Sequence, residues 1–495
     1  MKAYRMALDQ GTTSSRCVIF DYEGNVVASA GREFAQHFPH PGFVEHDATE
    51  ILSGQLDAAR EALLRAGLSA KDITCLGITN QRETVVLWDK KSGVPVCPAI
   101  VWQCRRTAAD CDKLRAAGLE RMIREKTGLP IDPYFSATKL SWMLNNIPGA
   151  RERAMRGELL FGTVDSFLIF HLTGGRVHAT DPSNAARTLL FNIHTLTWDE
   201  DLLRLFDIPA CILPQVLPSA SAFGVTEPTL FGAPIPITGV AGDQQAALFG
   251  QCCFESGMAK NTYGTGGFLL MNTGERAVYS SHGLLTTVGW QIGDKTSYVL
   301  EGSVFVCGAA IQWLRDGLGI LESAAQSEEI ARSVPDTGGV YFVPALTGLG
   351  TPYWDPYAKG TIVGLTRGST RAHLVRATLE AMAFQTVDVL CAMREDAEIA
   401  VPALRVDGGA CANDLLLSLQ SDLSGLVIHR PECIETTALG AANLAGLAAG
   451  VYTDLTDIAA HSRIATSFSP TIGKKEREAR LAAWHKAVAA ARQFV

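Results

Sequence analysis

No run of about 18 apolar residues occurs anywhere along the chain, so no membrane-spanning helix is expected. Positive charge is also in short supply: 43 Lys and Arg residues face 51 Asp and Glu, for a formal net charge of -8. A general nucleic-acid binder needs the opposite balance to displace phosphate counterions, which sets that class aside but leaves room for a local anion site. No Cys-x-x-Cys pair exists among the 12 cysteines, and the adjacent Cys252 and Cys253 suit neither zinc nor redox exchange. The first residues place an acid, Asp9, where a secretory leader would need its apolar stretch. Together these absences point to a cytoplasmic protein, where cysteines most often persist as reduced, buried thiols. No Pro/Ser-rich linker or run of like charge divides the chain, so its domains are expected to pack together.

What is present is a globular composition, 47% hydrophobic and 19% charged, with 46 glycines spread from end to end. At 495 residues the chain exceeds a single core, which stops growing at roughly 250–300 residues, so two large domains are expected. The opening stretch reads as three strands joined by tight turns: Arg5 to Leu8, Cys17 to Phe20 and Asn25 to Ala30. A helical pattern follows over Thr49 to Ala66, then a short strand over Thr74 to Thr79, and this alternation marks an α/β protein. A related pattern returns about 250 residues later, where Asn261 to Gly267 leads into the apolar run Phe268 to Met271. The strand Ser297 to Glu301 and a helix over Ala309 to Gly317 come after it. Two domains of one architecture, residues 1-250 and 251-495, would each offer a Gly/Thr turn to the space between them. The segment Lys474 to Phe494 sets Leu481, Trp484, Val488 and Ala491 on one helical face, as a helix docking on the second domain would.

The turn Asp9-Gln10-Gly11-Thr12-Thr13-Ser14-Ser15-Arg16 is the first chemical signal. Turns rich in Gly, Thr and Ser present backbone N–H groups and hydroxyls to an anion, as phosphate cradles do. The acid before the turn could hold Mg2+ through water, because that ion keeps much of its hydration shell and takes few carboxylates. An ordinary hairpin turn is the alternative. Neither G-x-x-x-x-G-K-[ST] nor G-x-G-x-x-G occurs; Gly264-Thr265-Gly266-Gly267 comes nearest, but Leu269 stands where the last glycine belongs. A nucleotide would have to be held by paired turns from two domains.

The Asp9 to Arg16 turn does not stand alone. With Gly77 to Thr84, Ile100 to Thr107, Asp132 to Lys139, Gly239 to Gly250, Tyr263 to Gly266 and Arg405 to Ala410, in order and at matching spacing, it resembles the FGGY family of sugar and polyol kinases. The likeness covers essentially the whole chain. It implies an actin-like α/β fold: two RNase-H-like domains with mixed sheets flanked by helices and the active site in the cleft between them. It also implies ATP-dependent phosphorylation of glycerol, with ATP/ADP and Mg2+ as cofactors, and a homo-oligomer, dimer or tetramer. By matching position, Asp243 takes the role of catalytic base. Arg82, Glu83, Tyr134, Asp243 and Gln244 match ligands of the polyol hydroxyls, while Trp102 and Phe268 match aromatic walls along its carbon chain. Thr12, Thr13, Ser14, Arg16 and Thr265 match phosphate contacts. Gly308, Gln312, Gly409 and Asn413 match the adenosine side, and Asp9 and Asp243 the acids associated with Mg2+.

Simpler roles exist for several of these residues. Asp243 is placed to cap a helix over Gln244 to Phe249, Trp102 could be core, and Arg82 and Glu83 could form a plain surface ion pair. Arg105 and Arg106 read as structural or as cleft rim. Adjacent strand residues point to opposite faces, so Arg82 and Glu83 can enter one pocket only if the backbone there is irregular. A sister kinase for a ketopentose or an aldonic acid would keep both turns and Asp243 but differ around Arg82, Trp102 and Tyr134. A non-enzymatic actin-like nucleotide switch would lack a polar triol pocket. The chain departs from relatives at Thr226 to Pro236. Some members carry a Gly-Gly-Lys-Gly-Gly-like loop there for fructose 1,6-bisphosphate, and others a histidine that a phosphocarrier phosphorylates. This stretch has neither lysine nor histidine and includes Glu227 and three prolines, so insensitivity to both signals is expected.

Overall fold

Two apolar segments separated by Gly11 lay down the opening hairpin. β1 (Tyr4–Gln10) and β2 (Ser14–Phe20) bury most of their side chains, and Gly11 N–H closes the turn on Ser14 O at 2.9 Å. β3 (Val26–Glu33) continues antiparallel to β2, while β4 (Ile73–Asn80) and β5 (Ile237–Gly242) add in parallel beyond β1. The result is a five-stranded sheet in the order β5-β4-β1-β2-β3. α1 (Ala48–Ala66) crosses over between β3 and β4; the Asp47 side chain caps it at Thr49 N, and Gly67 ends it at φ 65. α2 (Asp243–Gly250) leaves directly from β5. The computed structural model describes residues 3–493.

The second half repeats the plan. β6 (Ala259–Tyr263) and β7 (Gly267–Gly274) form the hairpin, with β8 (Leu285–Ile292) and β9 (Lys295–Val304) following it. β9 runs antiparallel to β7, while β10 (Ala403–Asp407) and β11 (Val427–Pro431) add in parallel beyond β6. With β8 and β12 (Ile464–Phe468) at its edges, this sheet has seven strands in the order β8-β9-β7-β6-β10-β11-β12. Strands β6, β7, β9, β10 and β11 therefore repeat β1, β2, β3, β4 and β5, neighbour for neighbour and direction for direction. The short recurrence in the sequence marks a duplicated architecture.

The helices of this half are α3 (Gly308–Asp316), α4 (Arg371–Ala397), α5 (Asp414–Ser424), α6 (Thr436–Ala448) and α7 (Lys474–Gln493). α7 docks as its pattern predicted: Trp484, Val488 and Ala491 are buried, and Trp484 stacks on Phe384 with ring centroids 5.1 Å apart. Phe494 lies outside the described residues. α6 packs on the first sheet as well, against β1, β4, β5 and α2. That approach needs glycine: a Cβ at Gly77 would collide with Ala441 O, and one at Gly440 with Ala246 O. The two halves are thus packed together without a linker.

Among the described residues no helix is long and apolar enough to cross a membrane. The cysteines are free thiols, most of them buried as expected, with Cys211 and Cys391 exposed. Cys391 sits on the outer flank of α4 and Cys211 in a surface turn, so neither packs into the core.

Candidate active site

The register of β1, β4 and β5 sets Gln10, Asn80 and Gly242 side by side. The Gly11 turn, Arg82-Glu83 and Asp243 therefore all leave the sheet at one edge, beyond the carboxyl ends of parallel strands, where open α/β sheets bind ligands. The backbone breaks at Arg82-Glu83 as expected. Glu83 has φ 63, in the left-handed region, and Thr84 N–H donates to Arg82 O at 2.7 Å. Both side chains are buried on the same side of the break.

Arg82 is the hub. Its stem lies on Gly242, where an added Cβ would come within 2.7 Å of Arg82 Cγ and Cδ. Nε stands 3.2 Å from Asp243 Oδ1, Nη1 and Nη2 reach Glu301 Oε2 and Oε1 at 2.5 and 3.0 Å, and Nη2 points to Tyr134 Oη at 3.4 Å. Arg187 completes the group, donating through Nε to Glu83 Oε1 at 2.6 Å and through Nη2 to Glu301 Oε1 at 3.1 Å. Such charges can be buried only because they are paired. Burial by itself would raise the Glu301 carboxyl, but Arg187 and Arg82 outweigh it and hold it at about 2. For Glu83 burial wins, and its carboxyl rises above the ordinary range despite Arg187 and Arg82.

Asp243 opens α2 at its first position, with Gly242 as the cap, so the capping role read from the sequence belongs to the preceding residue. Its Oδ1 accepts from Gln244 N at 2.7 Å, and the side chain stays 29% exposed while Arg82 beside it is buried. Gln244 is buried and receives Lys260 Nζ on its Oε1 at 2.5 Å. Lys260, Leu270 and Glu301 are cross-strand partners, as are Thr262, Phe268 and Ser303. Directly opposed residues share a face. The face that carries Lys260, Thr262, the half-buried Phe268 and Glu301 is thereby turned toward Gln244 and Arg82. Trp102 is half-buried rather than core: its ring meets Tyr134 edge-on at 5.5 Å, and its Nε1 donates to Thr12 Oγ1 at 3.0 Å. It joins Tyr134 to the Gly/Thr turn.

In that turn Thr13 is exposed, and Thr12 and Ser14 are half-buried. Asp9 and Arg16 stand opposite each other across β1 and β2. Burial pushes the Asp9 carboxyl up to about 7 against the pull of Arg16, with Asp243 and Glu435 pushing the same way. Arg16 Nη2 donates to Glu435 Oε1, just before α6, at 2.6 Å. On the second sheet, Thr265 is exposed in the β6–β7 turn, whose carbonyls at Gly264 and Thr265 accept from Gly308 N and Ala309 N at 2.9 and 3.1 Å. Gln312 on α3 and Gly409 after β10 are also exposed, and Asn413 caps α5 by accepting from Leu416 N at 2.9 Å. Arg106 is structural, with its guanidinium over the rings of Phe43 and Trp142 at 4.1 and 4.7 Å, and Arg105 pairs with Asp132 at the surface.

Sequence reasoning missed Arg187, Glu301, Lys260 and Glu435. For Glu301 and Lys260 a signal existed: an ionisable residue inside an otherwise apolar strand costs stability unless something pairs with it.

Models of the FGGY family of carbohydrate kinases match this chain twice, the N-terminal domain over residues 4–250 and the C-terminal domain over residues 259–449. The chain belongs to the FGGY family. Within it, glycerol kinase 1 of Clostridium tetani is 59% identical over 488 residues, spanning 99% of this chain and 98% of that protein. The glycerol kinase of Carboxydothermus hydrogenoformans is 57% identical over 494 residues, spanning 100% and 99%. The crystal structure of Plasmodium falciparum glycerol kinase with ADP superposes with a TM-score of 0.92 at 36% identity, covering 99% of this chain and 98% of that one. The fold of this chain is the two-domain FGGY kinase fold.

Proposed function

We propose that this chain transfers the γ-phosphoryl group of ATP to glycerol, giving sn-glycerol 3-phosphate and ADP, with Asp243 as general base. The observation that carries this reading is the placement of Asp243. It is the part-exposed carboxylate of a site whose neighbouring charges, Arg82, Glu83, Arg187 and Glu301, are buried and already paired. Whole-length similarity to proteins named glycerol kinase supports it.

A triol presents a hydroxyl on every carbon, and a site that pairs each one rejects analogues lacking it. Arg82 supplies donors and Glu83 acceptors; Tyr134 and Gln244 add a hydroxyl and an amide, with Trp102 and Phe268 as apolar walls. Asp243 orients the attacking hydroxyl and takes its proton as the new O–P bond forms and the bond to the ADP oxygen breaks. Positioning and charge neutralisation carry most of the rate in such transfers. Thr12, Thr13, Ser14, Arg16 and Thr265 hold the phosphates between the two turns, and Gly308, Gln312, Gly409 and Asn413 face the adenosine. The N-terminal half, residues 1-250, brings the polyol and the first turn, and residues 251-495 bring the adenosine side.

Among the described residues no group of three or more His, Cys, Asp or Glu side chains is placed to hold a metal. That suits Mg2+, which takes one or two carboxylates and keeps its waters. Asp9 and Asp243, close enough for the charge of one to raise the other, fit it and would hold it through water. When bound, the ion neutralises charge on the phosphates. A homo-oligomer in the cytoplasm belongs to the same reading, and free thiols fit a reducing compartment.

The test is a coupled ADP-release assay across glycerol, dihydroxyacetone, xylulose and gluconate. Glycerol should exceed xylulose and gluconate in kcat/KM by about 10²-fold or more. A preference for either sugar substrate would move the chain to a sister activity, and ATP hydrolysis that ignores all four would favour a nucleotide switch.

A further inference from the structure

We propose that Glu301, together with Arg187, is a positioning residue for polyol recognition, so that the C-terminal sheet sets the binding geometry of the N-terminal polyol groups. This rests on the assignment of Arg82 and Glu83 to the polyol site. Glu301 lies on β9 of the second sheet, yet it holds both terminal nitrogens of Arg82 at 2.5 and 3.0 Å. A two-point, planar carboxylate contact fixes a guanidinium in orientation as well as position. It leaves Arg82 Nε toward Asp243 at 3.2 Å and Nη2 toward Tyr134 Oη at 3.4 Å.

Three carboxylates face Arg82: Glu301, Asp243 and Glu83, the last 3.8 Å from Nε. Without Glu301 the guanidinium keeps one neutral acceptor, Gln245 Oε1 at 3.2 Å from Nη1, and the carboxylates left to draw it are the base and the polyol acceptor, either of which the reaction needs. Arg187 does for Glu83 what Glu301 does for Arg82. Its Nε engages Glu83 Oε1 at 2.6 Å, and among the described residues no hydrogen bond goes to Glu83 Oε2, which leaves that oxygen for a hydroxyl. Arg187 Nη1 is buried with no partner, and its guanidinium carbon sits over the Tyr134 and Phe135 rings at 5.5 and 5.3 Å. Those rings supply the compensation that a hydrogen bond would otherwise give. Arg187 is thereby wedged between a polyol-side acceptor and a polyol-side ring.

The experiment compares the parent enzyme with Glu301→Gln and Glu301→Asp, varying glycerol and ATP separately and recording melting temperature. Glu301→Gln keeps the shape and loses the charge; it should raise the KM for glycerol on the order of 10–100-fold, the effect of losing a hydrogen bond to a charged group. The KM for ATP should stay within about twofold, because among the described residues the hydrogen bonds to the Glu301 carboxylate come from Arg82 and Arg187. Glu301→Asp keeps the charge on a shorter stem and should recover part of the loss. A glycerol KM within about twofold of the parent in both variants would overturn the proposal. So would parallel rises in both KM values with a lowered melting temperature, or failure of Glu301→Asp to fold, since these mark a merely structural role. If the parent itself does not phosphorylate glycerol, the functional reading fails. The KM split is then measured on whichever substrate the four-compound assay selects, so the two failures remain distinct.

Discussion

At the proposed polyol end of the cleft, Arg82, Glu83, Arg187 and Glu301 are buried and bonded to one another, while at the proposed nucleotide end Thr13, Thr265, Gln312 and Gly409 are exposed on turns and a helix. Both ends sit at the carboxyl edge of the same strand pattern, so the sheet alone does not account for the contrast. The polyol end receives side chains from both sheets, and their charges fix one another before any ligand arrives. The nucleotide end relies on main-chain turns, a helix cap and the Arg16–Glu435 pair, which a phosphate can rearrange at little cost. A small neutral triol offers no charge to organise its site, so the site must be organised beforehand. A triphosphate brings its own charge.

The largest effect expected from breaking this contrast is at Asp243. Asp243→Asn is nearly isosteric and leaves Arg82 tied to Glu301, so folding and ATP binding should survive. Turnover should fall by roughly 10²–10⁴-fold, the usual contribution of a general base. Turnover within about threefold of the parent would remove Asp243 from that role.

Gly242 tests whether the polyol end is as rigid as its charges suggest. Its φ of -59 is open to any residue, so Gly242→Ala adds no backbone strain and acts only through the methyl group, 2.7 Å from the Arg82 stem. The KM for glycerol should rise about tenfold with a stability cost of about 1–3 kcal/mol, the range for overpacking a buried site. ATP should bind as before. Unchanged glycerol kinetics would mean that Arg82 can shift without consequence, and the picture of a pre-set polyol end would fall.

A smaller effect is expected at the other end. Asn413→Ala removes the cap on Leu416 N and should cost about 0.5–2 kcal/mol whether or not adenosine touches the residue. Asn413→Ser keeps a side-chain oxygen for the cap and loses the amide donor, now 3.3 Å from Ser327 Oγ, without adding charge. A severalfold rise in the KM for ATP at an unchanged melting temperature would place the amide against the nucleotide. Kinetics identical to the parent would leave Asn413 as a cap alone.

How far the sequence revealed these two ends follows the same contrast. The Gly/Thr turns are local patterns, and the strands around them were legible to within three residues because apolar runs and turn residues sit next to each other in the chain. The break at Arg82-Glu83 was legible too, since two neighbours cannot share a pocket from a regular strand. Glu301 and Arg187 were not. Each is joined to Arg82 or Glu83 by more than 100 positions of chain, as the Arg187–Glu83 and Arg82–Glu301 bonds show, and no local period reports such a pairing. The acid in the apolar run Tyr298 to Val304 was the available hint, and reading it as a buried charge in need of a partner would have pointed across the cleft.

The smallest effect belongs outside the cleft, in the segment Thr226 to Pro236. A phosphate nest needs successive backbone N–H groups turned to one side, usually with a cation nearby. Here Pro228 starts a short helical turn, Pro228–Phe231, and Gly232, at φ 85, ends it. Ile235 N donates to Thr226 Oγ1 at 2.9 Å, so that donor is spent within the segment. The neighbouring cation, Arg176, is already paired with Glu227, and a phosphate would have to displace that carboxylate while facing its charge. No histidine is present to accept a phosphoryl group. Activity at millimolar fructose 1,6-bisphosphate, and with the phosphorylated histidine-containing carrier, should therefore stay within about twofold of the untreated enzyme, because exposed, already-paired charges contribute little. A larger response to the sugar bisphosphate that disappears in Arg176→Ala would show that this cation can be freed from Glu227 and that the segment can form a phosphate site without lysine.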